Sequence, residues 1–445
     1  MKTFLLIASL KTTMPNVNLN NMLKTKLLPY SNALALIENI ASQYCITSAQ
    51  TCQLNEAPNR LLAEDVLSPI NVPSFNNSAM DGFAVQTHIV NNQIKKIGTI
   101  TLKVSGSIQA GDCQDIDAEN KHLAWEIMTG APVPDLFDGV IQIENVTINE
   151  VDNYKTITLT ETVQKGRNIR KLGTDYRINE IVANKHAIIQ AQHIMALATV
   201  GIQQIQVLKR IKVAILSTGN ELAKKSSTSL NSGKIFNSNQ PFLKSYSQNL
   251  NCEPTFIGHC KDNIDAFNIL VDEAIKKDVK IIFSTGAVSM GKYDFIPQAL
   301  LALGAKIHFH KAKIRPGKPI LFAELPDGII YFGLPGNPIA AAAGMRFFVS
   351  PFIRKMLGLT QEKILKAKAV TNISKKKGFR TFAKAQAHID ETGQLCVKML
   401  MDQGSYQSCS FAQSNCWLIL PEESESIKKG ELVNIVPMIP NQMVL

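Results

Sequence analysis

Two carboxylates in this chain follow closely similar loops. Glu221 comes after Ser217-Thr218-Gly219-Asn220, and Asp294 closes the stretch Ser284-Thr285-Gly286-Ala287-Val288-Ser289-Met290-Gly291-Lys292-Tyr293. Two oxygen ligands completed by substrate phosphates and water suit Mg2+, which dehydrates reluctantly. The plainer alternatives are a helix cap for Asp294 and a surface acid for Glu221. Lys318 stands between Gly317 and Pro319, with Arg315 nearby. An ammonium and a planar guanidinium can neutralise a phosphate or another oxyanion. Asp81, in Ser78-Ala79-Met80-Asp81-Gly82, offers a carboxylate on an open loop or forms an ordinary turn. Thr129, in Met128-Thr129-Gly130-Ala131-Pro132, offers a hydroxyl beside a glycine or belongs to a proline-stiffened turn. The chemistry these residue types share is the handling of an anionic, nucleotide-like substrate.

What must position them is an α/β sheet. Strands expected at 211–216, 279–283 and 329–332 run straight into glycine-bearing polar loops, and Arg315-Pro316-Gly317-Lys318-Pro319 leads into a strand at 320–322. Loops at the carboxyl ends of parallel strands gather on one edge, where ligands bind. Glycine there lets backbone N–H groups approach a ligand closely. The helix starts share a cap residue followed by proline: Asn239 before Pro241, Asp294 before Pro297, Asn337 before Pro338, and Ser350 before Pro351. The cap accepts a free N–H, proline removes a donor the helix cannot use, and the N-terminus favours an anion.

Around this α/β region, helical spacing is expected at 34–40, 59–66 and 190–200. Short strands are expected at 97–104, 123–127, 140–146 and 155–159, separated by Gly, Pro and Asp turns. After residues 358–360, alternation at 379–388, 395–400, 416–420 and 432–436 suggests a small β-barrel or sandwich.

At 445 residues the chain exceeds what one core supports, so several domains are expected. A net charge of +11 favours anionic ligands or reflects a generally basic surface. The lysines form scattered pairs and one triplet, Lys375–Lys377, rather than a stripe, which argues against nucleic-acid binding. Eight cysteines show no CxxC pair and read as reduced thiols of a cytoplasmic protein. His308 and His310 share a strand face but do not make a zinc site. No apolar run approaches the ~20 residues of a membrane span. The opening apolar run lacks a cleavage site, and Met14 is an alternative start to Met1.

Taken in order, the motifs Val72-Pro73-Ser74-Phe75-Asn76-Asn77-Ser78-Ala79-Met80-Asp81-Gly82, Met128–Pro132, Gly166-Arg167-Asn168-Ile169-Arg170, Ser217–Leu222, Gly286–Asp294, Pro316-Gly317-Lys318-Pro319 and Gly333-Leu334-Pro335-Gly336-Asn337-Pro338 resemble the molybdopterin molybdenumtransferase (MoeA) family. Eukaryotic relatives of that family form the C-terminal part of gephyrin. The resemblance runs from about Pro29 onward. It implies a multidomain α/β protein with a central doubly wound α/β domain over 207–358 and a β-rich domain over 71–165. It further implies a discontinuous helical linker and dimerisation domain over 22–70 and 166–206, and a C-terminal β-barrel over 359–445.

The activity implied is insertion of molybdate into adenylylated molybdopterin with release of AMP, assisted by Mg2+. The family's homodimer shares its site between subunits, so Asp81 and Thr129 would act in trans. The resemblance assigns catalysis to Asp81, Glu221, Asp294 and Lys318, and metal placement to the first three. It assigns ligand binding to Thr129, Ser217, Thr218, Gly219, Ser284, Gly286, Ser289 and Arg315, with Ser405 and Ser408 at the pterin end. An adenylyltransferase and recipient molybdoenzymes are implied partners.

The chain departs from the family pattern at Asn76, Asn220, Ala287, Lys292 and Arg315. One rival reading is the adenylyltransferase itself, which leaves the SAMDG segment unexplained. A second rival is a non-catalytic scaffold, which would call for a long linker.

Overall fold

Strands covered on both faces read as continuous apolar runs rather than alternating ones. Ile211–Thr218 is such a strand, buried at every position except Lys212. The computed structural model describes residues 27–112, 123–151, 154–223, 230, 232–288 and 295–442. Ser289, Lys292 and Asp294 lie outside the described residues. Described residues up to Ser48 and from Lys209 onward form one unit, and Ala49–Leu208 forms another.

In the larger unit, Ile211–Thr218 lies inside a six-stranded sheet ordered Cys252–Cys260, Ile211–Thr218, Ile281–Thr285, Ile330–Leu334, Leu321–Glu324, Lys306–His310. The first four strands are parallel, and the last two run antiparallel to their neighbours. Ser217 pairs with Thr285, and Thr285 with Leu334, so three parallel strands end level and release their loops side by side. Because Leu321–Glu324 runs the opposite way, its leading segment, not its trailing one, falls on that same edge.

Helices cover both faces. Ile264–Lys276 and Ile296–Ala302 pack Phe267, Val271, Ile296 and Leu300 against Ala214, Leu216, Ile282 and Tyr331. Phe348 and Phe352 meet Phe309, Phe322 and Phe332 on the other face. The helix Tyr30–Ala41, expected within the 22–70 segment of the linker domain, belongs to this larger unit. The Tyr30 ring sits 5.5 Å from Phe348 and 5.3 Å from Phe382, and these aromatic contacts hold it there.

The C-terminal strands close on themselves: Arg380–Ile389, Leu395–Met399, Leu365–Ala369, Leu432–Pro437 and Cys416–Leu420, which pairs back to Arg380–Ile389. The narrow interior is filled by small side chains, Ala367, Ala369, Ala383, Ala385 and Ala387, with Val397, Leu418 and Ile435. Period-two alternation therefore turns Phe382 and Lys384 outward. Phe382 stacks on Phe347 of the α/β domain with ring centroids 3.5 Å apart. The two-residue strand Ile314–Arg315 pairs with Arg380–Thr381, so the chain leaves the barrel wall directly into the Arg315–Pro319 loop.

In the smaller unit a second six-stranded sheet runs Gly139–Gln142, Gly82–Val85, Leu123–Ile127, Ile100–Ile108, Tyr154–Leu159, Thr147–Val151. A helix, Thr87–Ile97, was not foreseen. It buries only Thr87 and Val90, too weak an apolar stripe to read, and Gly98 ends it in a left-handed turn at φ +79°. The helix expected at 59–66 does not form. Asn59 takes φ +64°, and the amides of Asn59, Leu62 and Ala63 donate to Ile189, Ala187 and Gln206 instead. The remaining segments hold one helix, Ala191–Thr199, and short antiparallel pairs that include Val66–Leu67 with Ile181–Ala183.

Candidate active site

The level strand ends of the larger unit enclose a cavity of about 420 Å3 lined by Thr218, Gly219, Glu221, Asp262, Gly286 and Asn337 among others. Two glycines make its walls possible. A Cβ on Gly286, which has φ +93°, would meet the Thr218 carbonyl oxygen at 2.4 Å, and one on Gly219 would strike the Glu221 carboxylate at 2.6 Å. Glu221 and Asp262 supply two carboxylates, and among the described residues no lysine or arginine lines this cavity. Asp262 also accepts the Asn220 amide at 3.3 Å, which ties the two acidic loops together. Among the described residues, no set of three His, Cys, Asp or Glu side chains converges on a metal position. Two carboxylates facing one cavity still fit a hydrated Mg2+ bound partly through substrate phosphate.

A second cavity, of about 350 Å3, shares Thr218, Glu221, Gly286 and Asn337 with the first and adds Thr285, Tyr406 and Ser408. A third and larger one, about 1030 Å3, lies between the sheet edge and the barrel and shares Pro319, Pro335 and Asn337 with the first. Its lining carries Arg315, Lys318, Lys375, Lys376 and Lys377 and, among the described residues, no carboxylate. Lys318 and Arg315 are exposed to it. Lys375 instead donates to the Phe379 carbonyl at 3.0 Å, and burial lowers its pKa. One wall is thus acidic and the other basic, an arrangement suited to a metal-assisted substrate with several anionic groups.

Ser405 stands on a loop fixed by Lys384. That lysine is 1% exposed and donates to the carbonyls of Gly404 at 3.2 Å and Gln407 at 3.1 Å. Desolvation lowers its pKa, with Asp402 opposing. Asn337 occupies the cap position of the helix Pro338–Gly344, but its side chain makes no cap bond. Its amide donates to Ser405 Oγ at 3.2 Å.

In the smaller unit Asp81 Oδ1 accepts the Thr129 amide at 2.6 Å and the Thr129 hydroxyl at 2.8 Å. These bonds hold its carboxyl below the usual carboxylate range, the backbone bond contributing most. Asn76 has a structural task, accepting the Leu172 amide at 3.0 Å.

The structure therefore brings Thr218, Gly219, Glu221, Gly286, Arg315, Lys318, Ser405 and Ser408 around adjoining cavities. It does not bring Ser217 or Ser284 there. Both are fully buried within their strands, one residue short of the strand ends, and the terminal residues Thr218 and Thr285 line the second cavity in their place. Ser284 Oγ accepts the Tyr331 hydroxyl, and the Ser217 carbonyl lies 3.1 Å from His259 Nδ1. Asp81 and Thr129 are paired in the other unit. Sequence reading missed Asp262, Asn337 as a lining residue, Lys384 and Tyr406. Asp262 carried a usable signal, a polar run directly after a strand, although no glycine marks it.

Three family sequence models match the chain. They are described as MoeA N-terminal region (domain I and II), over residues 28–201, probable molybdopterin binding domain, over 214–355, and MoeA C-terminal region (domain IV), over 366–438. The chain is 36% identical over 394 residues to a molybdopterin molybdenumtransferase of Haemophilus influenzae, covering 88% of this chain and 94% of that protein. It is 32% identical to one of Synechococcus elongatus, covering 92% of this chain and 99% of that one. Among solved structures, a molybdopterin biosynthesis MoeA protein from Pyrococcus horikoshii superposes with a TM-score of 0.77 at 28% identity, covering 92% of this chain and 99% of that one.

Proposed function

This chain belongs to the molybdopterin molybdenumtransferase (MoeA) family, and from that premise we propose how its residues divide the work of placing molybdenum on molybdopterin in cofactor biosynthesis. It is a transferase. The observation that carries the division is the pairing of an acidic cavity, with Glu221 and Asp262, and a basic one, with Arg315 and Lys318, through shared walls.

The substrate we assign is adenylylated molybdopterin, with molybdate as the second reactant and AMP as a product. Arg315 and Lys318 hold oxyanion groups and stabilise negative charge as the phosphate linkage opens. Thr218, Gly219 and Gly286 line the phosphates through backbone and hydroxyl donors. Glu221 and Asp262, with Asp294 as the third acid read from sequence, would hold Mg2+, which would neutralise phosphate oxygens when bound. Ser405 and Ser408 orient the end of the ligand nearest the barrel.

We place Asp81 and Thr129 as residues that a second copy contributes, in a homodimer. A patch on the smaller unit supports dimerisation: Leu67, Ile70, Phe75, Leu172, Ile178 and Ile181 are all exposed on neighbouring segments. Among the described residues the cysteines are free, which fits a cytoplasmic setting. No helix among the described residues is long and apolar enough to cross a membrane.

The deciding experiment supplies purified protein with adenylylated molybdopterin. AMP release and reconstitution of an apo-molybdoenzyme should require molybdate. Formation of the adenylate from molybdopterin and ATP would instead assign the adenylyltransferase activity.

A further inference from the structure

Tyr406 has no role in the division above, yet its surroundings are unusual for a surface tyrosine. It is 71% exposed and borders both the basic cavity and the cavity that contains Thr218 and Glu221. Single exposed apolar residues are common on protein surfaces and mean little alone. This one sits on a loop held at both ends by a buried ammonium, since Lys384 donates to the carbonyls of Gly404 and Gln407. The Gln407 side chain also accepts the Gly404 amide at 2.7 Å. Gly404 is required by this closeness, because a Cβ there would lie 2.4 Å from Gln407 Oε1 and 3.1 Å from Tyr406 Cε1. Burying a lysine on carbonyl acceptors is unfavourable even with Asp402 nearby, and its effect here is to fix the backbone on either side of an exposed aromatic ring.

We propose that Tyr406 is a stacking platform for the flat nitrogen heterocycle of the substrate, and that it makes the site prefer ring-bearing anions over bare oxyanions. The inference rests on the reading of the preceding subsection, since the basic residues beside the ring hold the anionic group. Two rings satisfy this chemistry, the adenine and the pterin, and they are separable. Base stacking on an aromatic side chain is worth about 1–3 kcal/mol, or about 5- to 150-fold in affinity.

The test measures binding of AMP, ribose 5-phosphate and pterin-6-carboxylate to the full chain and to Tyr406→Ala and Tyr406→Phe. The expected result is that the alanine variant loses about tenfold or more for AMP, for pterin-6-carboxylate, or for both, and nothing for ribose 5-phosphate. The ligand that weakens identifies the ring. Tyr406→Phe should bind as the parent does, and the melting temperature of both variants should be unchanged, which separates stacking from loop collapse. Wild-type affinity for both ring ligands in Tyr406→Ala would overturn the proposal and leave the assigned function standing. Failure of the parent protein to bind any of the three would overturn both.

Discussion

Asn337 and Ser405, 68 residues apart, are joined by a hydrogen bond of 3.2 Å from the asparagine amide to the serine hydroxyl. The Ser405 carbonyl also accepts the Ile339 amide at 3.0 Å, so a barrel loop caps the helix that starts at Pro338. The cap expected from the asparagine side chain is thus supplied from elsewhere in the chain. Asn337→Ala should lower stability by about 0.5–1.5 kcal/mol. Ser405→Ala should cost less, because its carbonyl stays. A double-mutant cycle by thermal denaturation should return a coupling of about 0.5 kcal/mol or more; strict additivity would show that the bond does not form.

Glu221 and Asp262 face a common cavity that no lysine or arginine among the described residues lines. Glu221→Gln and Asp262→Asn should each raise the Mg2+ concentration needed for half-maximal AMP release by about tenfold or more. Unchanged Mg2+ dependence in both variants would remove these residues from metal placement.

The Asp81 carboxyl is held below its ordinary range by the Thr129 amide and then by the Thr129 hydroxyl. A carboxylate depressed on folding adds stability above its unfolded pKa of ~3.9, and that contribution is lost as pH falls through the lower folded value. In Thr129→Val the hydroxyl bond goes and the amide bond stays. The Asp81 midpoint, followed by carbon-detected NMR titration, should therefore rise toward the ordinary value without reaching it.

Ala287 takes φ +50°, in the left-handed region that disfavours a Cβ by about 1–2 kcal/mol. Glycine relieves that cost at some expense in unfolded-chain entropy. Ala287→Gly should raise stability by about 0.5–1 kcal/mol, read as an upward shift in melting temperature. A lower melting temperature would contradict the strain.

Ile178 and Ile181 are 55% and 48% exposed, and Ile181 pairs directly with Leu67, itself 46% exposed. Ile178→Asp with Ile181→Asp should convert the proposed dimer to monomer in light scattering while each chain stays folded. A dimer that survives both changes would place the interface elsewhere.

Much of this was legible beforehand because glycine and proline punctuate the loops at the strand ends. The barrel strands expected at 416–420 and 395–400 could be read from short apolar runs between polar turns, and they form at 416–420 and 395–399. What escaped has physical reasons. A serine followed by a threonine at a strand end leaves open by one residue which hydroxyl reaches the cavity, so the sequence offers Ser217 and Ser284 as lining residues although the strands bury both. Lys384, in Ala383-Lys384-Ala385-Gln386-Ala387, reads as a solvated outward residue. Only the loop folded over it, from Gln403 to Gln407, reveals its burial. Asp262 lacked a glycine to announce a loop.

The short pairing of Ile314–Arg315 with the barrel strand has a consequence for modularity. Because the segment delivering Arg315 and Lys318 to the sheet edge is anchored on the barrel wall, a fragment ending near residue 358 would lose the alignment of those cations as well as Ser405. The α/β portion alone would keep its acids and glycine loops but not the opposing charge. On the proposed division of the site, the barrel would serve as the mount for its basic side, and removing it would mean rebuilding that edge.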